Sequence, residues 1–163
     1  MAGAAGADRT VTVGLRPLVA PDAAWLDAWL PAVAKGVAYE YGDASRLKER
    51  ARVERSLRLR IITRDGADVG LAVYRISAPR RGAALFELVA TPAEHARRGA
   101  GMTAAALVEA EMRTRGARTV YAPAAEIHGI SMYFWIRLGY APIPRSEWPC
   151  YREGIAWLRR SLI

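Results

Sequence analysis

The chain has 163 residues, enough for one domain with a substantial core and too few for two ordinary ones. Apolar residues make up 52% of it and charged residues 25%, which excludes a disordered chain, and Asp22, Asp27, Lys35 and Glu40 interrupt the most hydrophobic region, which excludes a membrane-spanning run there. The single cysteine, Cys150, excludes an internal disulfide framework and a cysteine metal cluster, while the formal charge of +8 admits a polyanionic partner, whether RNA or a cofactor carrying several phosphates. The basic residues are nearly all arginine, with only Lys35 and Lys48 as lysines, so solvated arginines selected by composition account for most of that charge. Residues 1–9 are expected to be a flexible N-terminus, because they lack the basic start and apolar middle of a secretory signal. Residues 10–163 are expected to form a single cytoplasmic domain with neither a metal site nor a membrane partner.

The predicted elements begin with Thr10–Leu18, where Val11, Val13 and Leu15 alternate as in a half-buried strand. Pro21 suits a first helical position, and Trp25, Leu26, Trp29, Leu30 and Val33 share one helical face that Pro31 should kink or shorten. A loop with Tyr39, Glu40 and Tyr41 follows, then a helix from Ser45 to about Leu57. Seven Arg or Lys stand between Ser45 and Arg60 against two Glu. Leu59–Thr63 and Val69–Ile76 read as strands joined at Asp65-Gly66. Ala84–Ala90 reads as a central strand broken only by Glu87. Gly101, Ala104, Ala105, Val108 and Met112 repeat at helical spacing up to Gly116. Thr119–Ala122 is a short strand, Ile130–Leu138 a short helix closed by Gly139, and Tyr151–Leu162 a last strand. The result is an α/β domain with a mixed sheet.

Phe86 through Met102 is the most informative stretch: a buried strand, Thr91-Pro92, then His95-Ala96-Arg97-Arg98-Gly99-Ala100-Gly101-Met102, then a helix. A strand feeding a helix leaves unpaired N–H groups at the helix start, where the dipole also favours an anion. Glycines let a phosphate approach the backbone, and Arg97 and Arg98 add charged donors. The loop has neither the Gly-Lys-Ser/Thr ending of a Walker loop nor the third glycine of a dinucleotide fingerprint. A Gly-x-Gly at a helix start also serves close helix packing.

Strand, Pro, four residues, basic pair, Gly-x-Gly and helix together resemble the acyl-CoA loop of the GNAT superfamily of N-acetyltransferases. Ser131-Met132-Tyr133-Phe134-Trp135-Ile136-Arg137-Leu138-Gly139-Tyr140 is similar to that family's closing helix, Phe-Tyr-x-x-Leu-Gly-Phe/Tyr. The resemblance runs from about Val11 to the C-terminus. It implies a mostly antiparallel sheet with a splayed parallel pair, flanked by about four helices. It also implies acetyl-CoA as cosubstrate, with its pantetheine arm beside Val89 and Ala90 and its pyrophosphate on the N–H groups of Arg97, Arg98, Gly99, Ala100, Gly101 and Met102. One strand amide would polarise the thioester carbonyl. The resemblance is also compatible with a homodimer, without any residue selecting an interface.

The chain departs from the family pattern at two positions. Ala96 stands where the family usually has Gln or Arg, and Trp135 where it usually has the tyrosine that protonates the leaving thiolate. Ser131 lies one turn before Trp135 on the same face; either it donates to the thiolate, directly or through water, or it is a small packing residue and the thiolate leaves unaided.

The attacking amine needs a base. Glu87 is the leading candidate, since a carboxylate in an apolar strand must be paired or used; an arginine salt bridge is the alternative. Glu126 and His128 come second, and His128 is also placed where the family contacts the cofactor. His95 is expected to be exposed. Trp29, Tyr39 and Glu40 would roof the acceptor pocket, with core packing the alternative for the tryptophan. The expected activity is transfer of acetyl to a primary amine of a small molecule or peptide. The alternatives are an RNA-linked amine such as aminoacyl-tRNA, with the Ser45–Arg60 helix as basic platform, and a CoA-binding regulator without turnover.

Overall fold

The computed structural model describes residues 10–34, 44–127 and 129–163. The expected flexible segment 1–9 lies outside the described residues. In chain order the elements are β1 (Val13–Pro17), α1 (Asp22–Ala34), α2 (Ala44–Val53), β2 (Leu57–Arg64), β3 (Ala67–Ile76), β4 (Ala83–Ala90), α3 (Ala100–Thr114), β5 (Thr119–Ala125), α4 (Gly129–Arg137), β6 (Ala141–Pro142) and β7 (Ile155–Ser161). Single 3₁₀ turns at Ala93–His95 and Arg145–Glu147 complete them. The strands form one sheet in the order β1-β2-β3-β4-β5-β7-β6, in which β4 and β5 are the parallel pair and the other neighbours run antiparallel.

Strand alternation sends side chains to two faces, and the helices cover both. On one face Ala72, Tyr74, Ala84, Phe86, Val120 and Ala122 pack under α3 and α4, which contribute Ala104, Ala105, Val108, Met112 and Trp135. On the other, Leu59, Ile61, Leu71, Val73 and Leu88 meet Leu26 and Leu30 of α1 and Leu47 of α2. The same face continues over β4, β5 and β7 as Leu85, Tyr121, Ile155 and Trp157.

Pro31 lies inside α1, and the helix runs on to Ala34. Leu26 and Leu30 are buried in the α1 core, which outweighs the one hydrogen bond a proline removes. The basic helix ends at Val53 rather than Leu57, because Leu57 and Leu59 already alternate into the core as part of β2. β5 extends past its expected end through Pro123 to Ala125, held along its length by β7 from Thr119↔Ser161 to Ala125↔Ile155. Two anchors fix α3 through the buried Glu109: Tyr140 donates to it at 2.6 Å and the half-buried Arg160 donates to its other oxygen at 2.8 Å. Among the described residues no helix is long and apolar enough to cross a membrane.

Candidate functional site

β4 and β5 pair over only Ala83↔Thr119, Ala84↔Val120 and Leu85↔Tyr121. Beyond that, β4 runs through Phe86–Ala90 and β5 through Ala122–Ala125 without pairing to each other. A bulge explains the divergence. Opposite β3, Tyr74 faces Phe86 while Val73 faces Leu88, so Glu87 is an extra residue that bends β4. The second half of β4 therefore presents backbone groups to a wedge-shaped gap, where they have no strand partner among the described residues. Gly70 lets the end of β4 lie tightly on β3, since a Cβ there would stand 2.5 Å from the Ala90 carbonyl oxygen.

At the mouth of the gap, β4 passes through the single turn Ala93–His95 into α3. Arg97 and Gly99 take left-handed conformations, with φ of 59° and 80°, and Gly99 caps the helix. The first helical hydrogen bond runs from Thr103 N–H to Gly99 O at 3.1 Å, so the N–H groups of Ala100, Gly101 and Met102 belong to the turn that has no intrahelical acceptors. Arg97 and Arg98 are exposed beside them, and no acidic residue lies in that first turn. Gly101 works differently from a phosphate-approach glycine. Its missing Cβ would meet Phe134 of α4 at 3.5 Å and Val89 of β4 at 3.8 Å, so the glycine keeps a bulky group away from the side chains along the gap. Val89 is half-buried and Ala90 buried on the opposite wall, and His95, expected to be exposed, is half-buried.

Trp135 is buried against Phe86 and Tyr140, with ring centroids 4.9 and 5.2 Å away. Its indole N–H donates to the Pro123 carbonyl on β5 at 2.8 Å. Trp135 thus clamps α4 onto β5, and its one polar hydrogen is committed. Ser131, one turn earlier, is half-buried. Sequence reasoning missed the clamp, because Pro123 lay outside the strand it assigned.

On the α1/α2 face, Glu87 is 1% exposed and sits among arginines. Arg50 of α2 donates to it at 3.2 Å, and Arg75 of β3 donates through Nε. Both arginines also reach Glu54, and Arg75 touches Ser56 at 3.2 Å. Burial works against the Arg75 charge, but the Glu87 and Glu54 carboxylates outweigh it and hold its pKa above the usual value; Arg50 follows the same balance. Burial also opposes ionisation of Glu54, yet Arg75 and Arg50 bring its carboxyl below the usual range. The salt-bridge alternative weighed for Glu87 is therefore present in the structure, while its place at the bulge keeps it beside the gap.

The remaining candidates are dispersed. Trp29 packs on the α1/α2 core, edge-on to Trp25 at 5.3 Å, as core packing would have it. Its indole nitrogen and that of Trp157 are buried without a hydrogen-bond partner among the described residues. Glu126 is exposed just after β5, where its N–H donates to Gly154 O at 2.8 Å. Tyr39, Glu40, Tyr41 and His128 lie outside the described residues.

No protein-family model matches the sequence, and no curated protein matches it either. Solved structures do. An acetyltransferase from Thermus thermophilus superposes with a TM-score of 0.75 at 20% identity, covering 93% of this chain and 97% of that one. N-acetylglutamate synthase from Neisseria gonorrhoeae, complexed with coenzyme A and N-acetyl-glutamate, gives 0.74 at 16% identity over 93% of this chain and 35% of its own. The GNAT domain of S. lividans PAT gives 0.69 at 18% identity over 91% and 89%. At these identities the likeness is one of fold: the chain has the mixed sheet, divergent parallel pair and helix arrangement of GNAT acetyltransferases.

Proposed function

We propose that this chain is a GNAT acetyltransferase that passes an acetyl group from acetyl-CoA to a primary amine of a small molecule or peptide by direct attack. The observation that carries the proposal is the gap between β4 and β5 opening onto the first-turn N–H groups of α3, where the Gly99 cap supplies no side-chain acceptor. An extended arm fits beside an unpaired strand edge, and a pyrophosphate fits a helix start flanked by Arg97 and Arg98. One of the structural neighbours holds coenzyme A and N-acetyl-glutamate.

Acetyl-CoA supplies the acetyl group as a thioester. In the proposed reaction the N–H groups of Arg97, Arg98, Gly99, Ala100, Gly101 and Met102 hold its pyrophosphate. Val89 and Ala90 pair with its arm, and one β4 N–H donates to the thioester carbonyl as charge builds there. The amine forms the new C–N bond as the C–S bond breaks. Glu87 takes the amine proton through water, and the Ser131 hydroxyl donates to the departing thiolate in place of Trp135, whose N–H is committed to Pro123. Trp135 closes the cofactor wall by packing alone. Glu126 and His128 remain second candidates on the acceptor side, with Trp29, Tyr39 and Glu40 around it.

Calorimetric titration with acetyl-CoA, alongside Gly101→Glu, tests the assignment. Micromolar binding is expected in the wild type and its loss in the variant, whose side chain must enter the space between Phe134 and Val89. No heat with the wild-type protein overturns it.

A further inference from the structure

A second cleft, of about 340 Å³, lies on the α1/α2 face of the sheet and is lined by Pro79, Arg80, Tyr121, Glu147, Trp148 and Arg159, among others. Four segments build it: the β3–β4 connection, β5, the turn after β6, and β7. Its floor adjoins the gap. Tyr121 pairs with Leu85 in the last row before β4 and β5 diverge, and Arg159 lies opposite Tyr121 on β7. Pro123 and Trp157 form the next β5–β7 row on that face, about 7 Å further along the strands, and Glu87 stands two residues beyond Leu85 on β4.

The charges in the cleft do not cancel. Arg159 donates to Glu147 at 2.6 Å, which neutralises both. Arg80 is exposed, and its guanidinium has no partner among the described residues. The aromatic wall is held in place: Trp148 donates to Ile143 O at 3.1 Å, stacks on Tyr151 at 6.3 Å, and is covered by Arg145 at 5.2 Å. A free guanidinium fork beside a fixed indole suits a planar carboxylate on an apolar body. Among the lining residues Arg80 and Arg159 stand against one carboxylate, Glu147, which leaves one uncompensated positive charge for an anionic group.

We infer that the acceptor is an amine bearing a carboxylate, held by Arg80 in this cleft, with its amino group about one strand repeat or more away at the gap. An extended chain spans roughly 3.5 Å per residue, so an amine and a carboxylate about 7 Å apart correspond to a dipeptide or a compound of that length. The inference rests on the acyl-transfer reading and names the class of its acceptor.

Glycyl-phenylalanine and glycyl-phenylalaninamide differ only in the terminal carboxylate and make a matched pair. Hydrogen bonds to charged groups support a preference on the order of tenfold or more in kcat/KM for the carboxylate. In Arg80→Gln the carboxylate-to-amide ratio is expected to fall to about one, through KM, with acetyl-CoA affinity unchanged by calorimetry. Equal use of the two by the wild type, or a ratio preserved in the variant, overturns the inference while the acetyltransferase reading stands. If acetyl-CoA does not bind, that reading fails, and the inference is decided by tryptophan fluorescence with the N-acetylated forms of both dipeptides. A carboxylate preference lost in Arg80→Gln upholds the cleft; no preference overturns it.

Discussion

Replacing Glu87 by Gln separates its structural role from its chemical one. The side chain is 1% exposed and receives Arg50 at 3.2 Å as well as Arg75, while Glu54 serves the same two arginines from the end of α2. Removing one member of a buried ion pair costs roughly 3–5 kcal/mol, because the partner stays buried and uncompensated. Here the loss is smaller. The arginine side chains keep 30% and 22% of their exposure and retain Glu54, and a Gln oxygen still accepts one hydrogen bond. We expect about 2 kcal/mol of destabilisation, or roughly 4–8 °C in Tm for a chain of this size. Urea titration reads the stability, and release of free thiol with a working amine reads turnover at a temperature where both proteins are folded. A fall in kcat at least tenfold beyond any change in folded fraction is expected if Glu87 takes the amine proton. Unchanged stability would refute the buried-pair reasoning, and unchanged turnover with reduced stability would make Glu87 a structural hub only.

Trp135→Phe should cost about 3 kcal/mol in urea unfolding, from the unanswered Pro123 carbonyl and the smaller ring; a loss below about 1 kcal/mol would count against the clamp. The glycines should sort by geometry in thermal unfolding. Gly70→Ala should lose about 2 kcal/mol from its 2.5 Å approach to Ala90 O, Gly99→Ala about 1 kcal/mol from its φ of 80°, and Gly101→Ala close to nothing at 3.5 Å from Phe134. Equal losses at all three would contradict this order. Asp22 gives the acid limb: the Arg16 hydrogen bond, against burial, holds its carboxyl below the usual range. Its contribution is therefore present above about pH 4 and lost as pH falls through the lowered folded value. Tm measured from about pH 6 to about pH 3 should fall less steeply in Asp22→Asn than in the wild type, and parallel slopes would exclude the linkage.

Local patterns made much of the fold legible. The apolar run Ala84–Ala90, the small-residue face Ala104, Ala105, Val108, Met112 and the stop at Gly116 are written within a few turns of chain, and each emerged as an element. The strand-to-helix loop was legible for the same reason. Glu87 drew notice as a carboxylate in an apolar strand, but its partners Arg75 and Arg50 are 12 and 37 residues away, beyond any periodicity. Pro123 hid the end of β5, because proline usually closes a strand, whereas its long-range pairing with Trp157 carries this one on. The Arg80 cleft depends on four separated segments and leaves no local signature.

The carbonyl of Pro123 has a further consequence. Proline brings no N–H to β5, and its oxygen is already taken by the Trp135 indole. At that position the β5 side of the gap offers a guest no main-chain N–H and an oxygen that already accepts, so opposite Pro123 the polar edge is that of β4. A molecule threaded past Pro123 takes its main-chain contacts at that point from β4. Sensitivity to change should follow the same asymmetry, with a main-chain shift in β4 displacing the guest along its length.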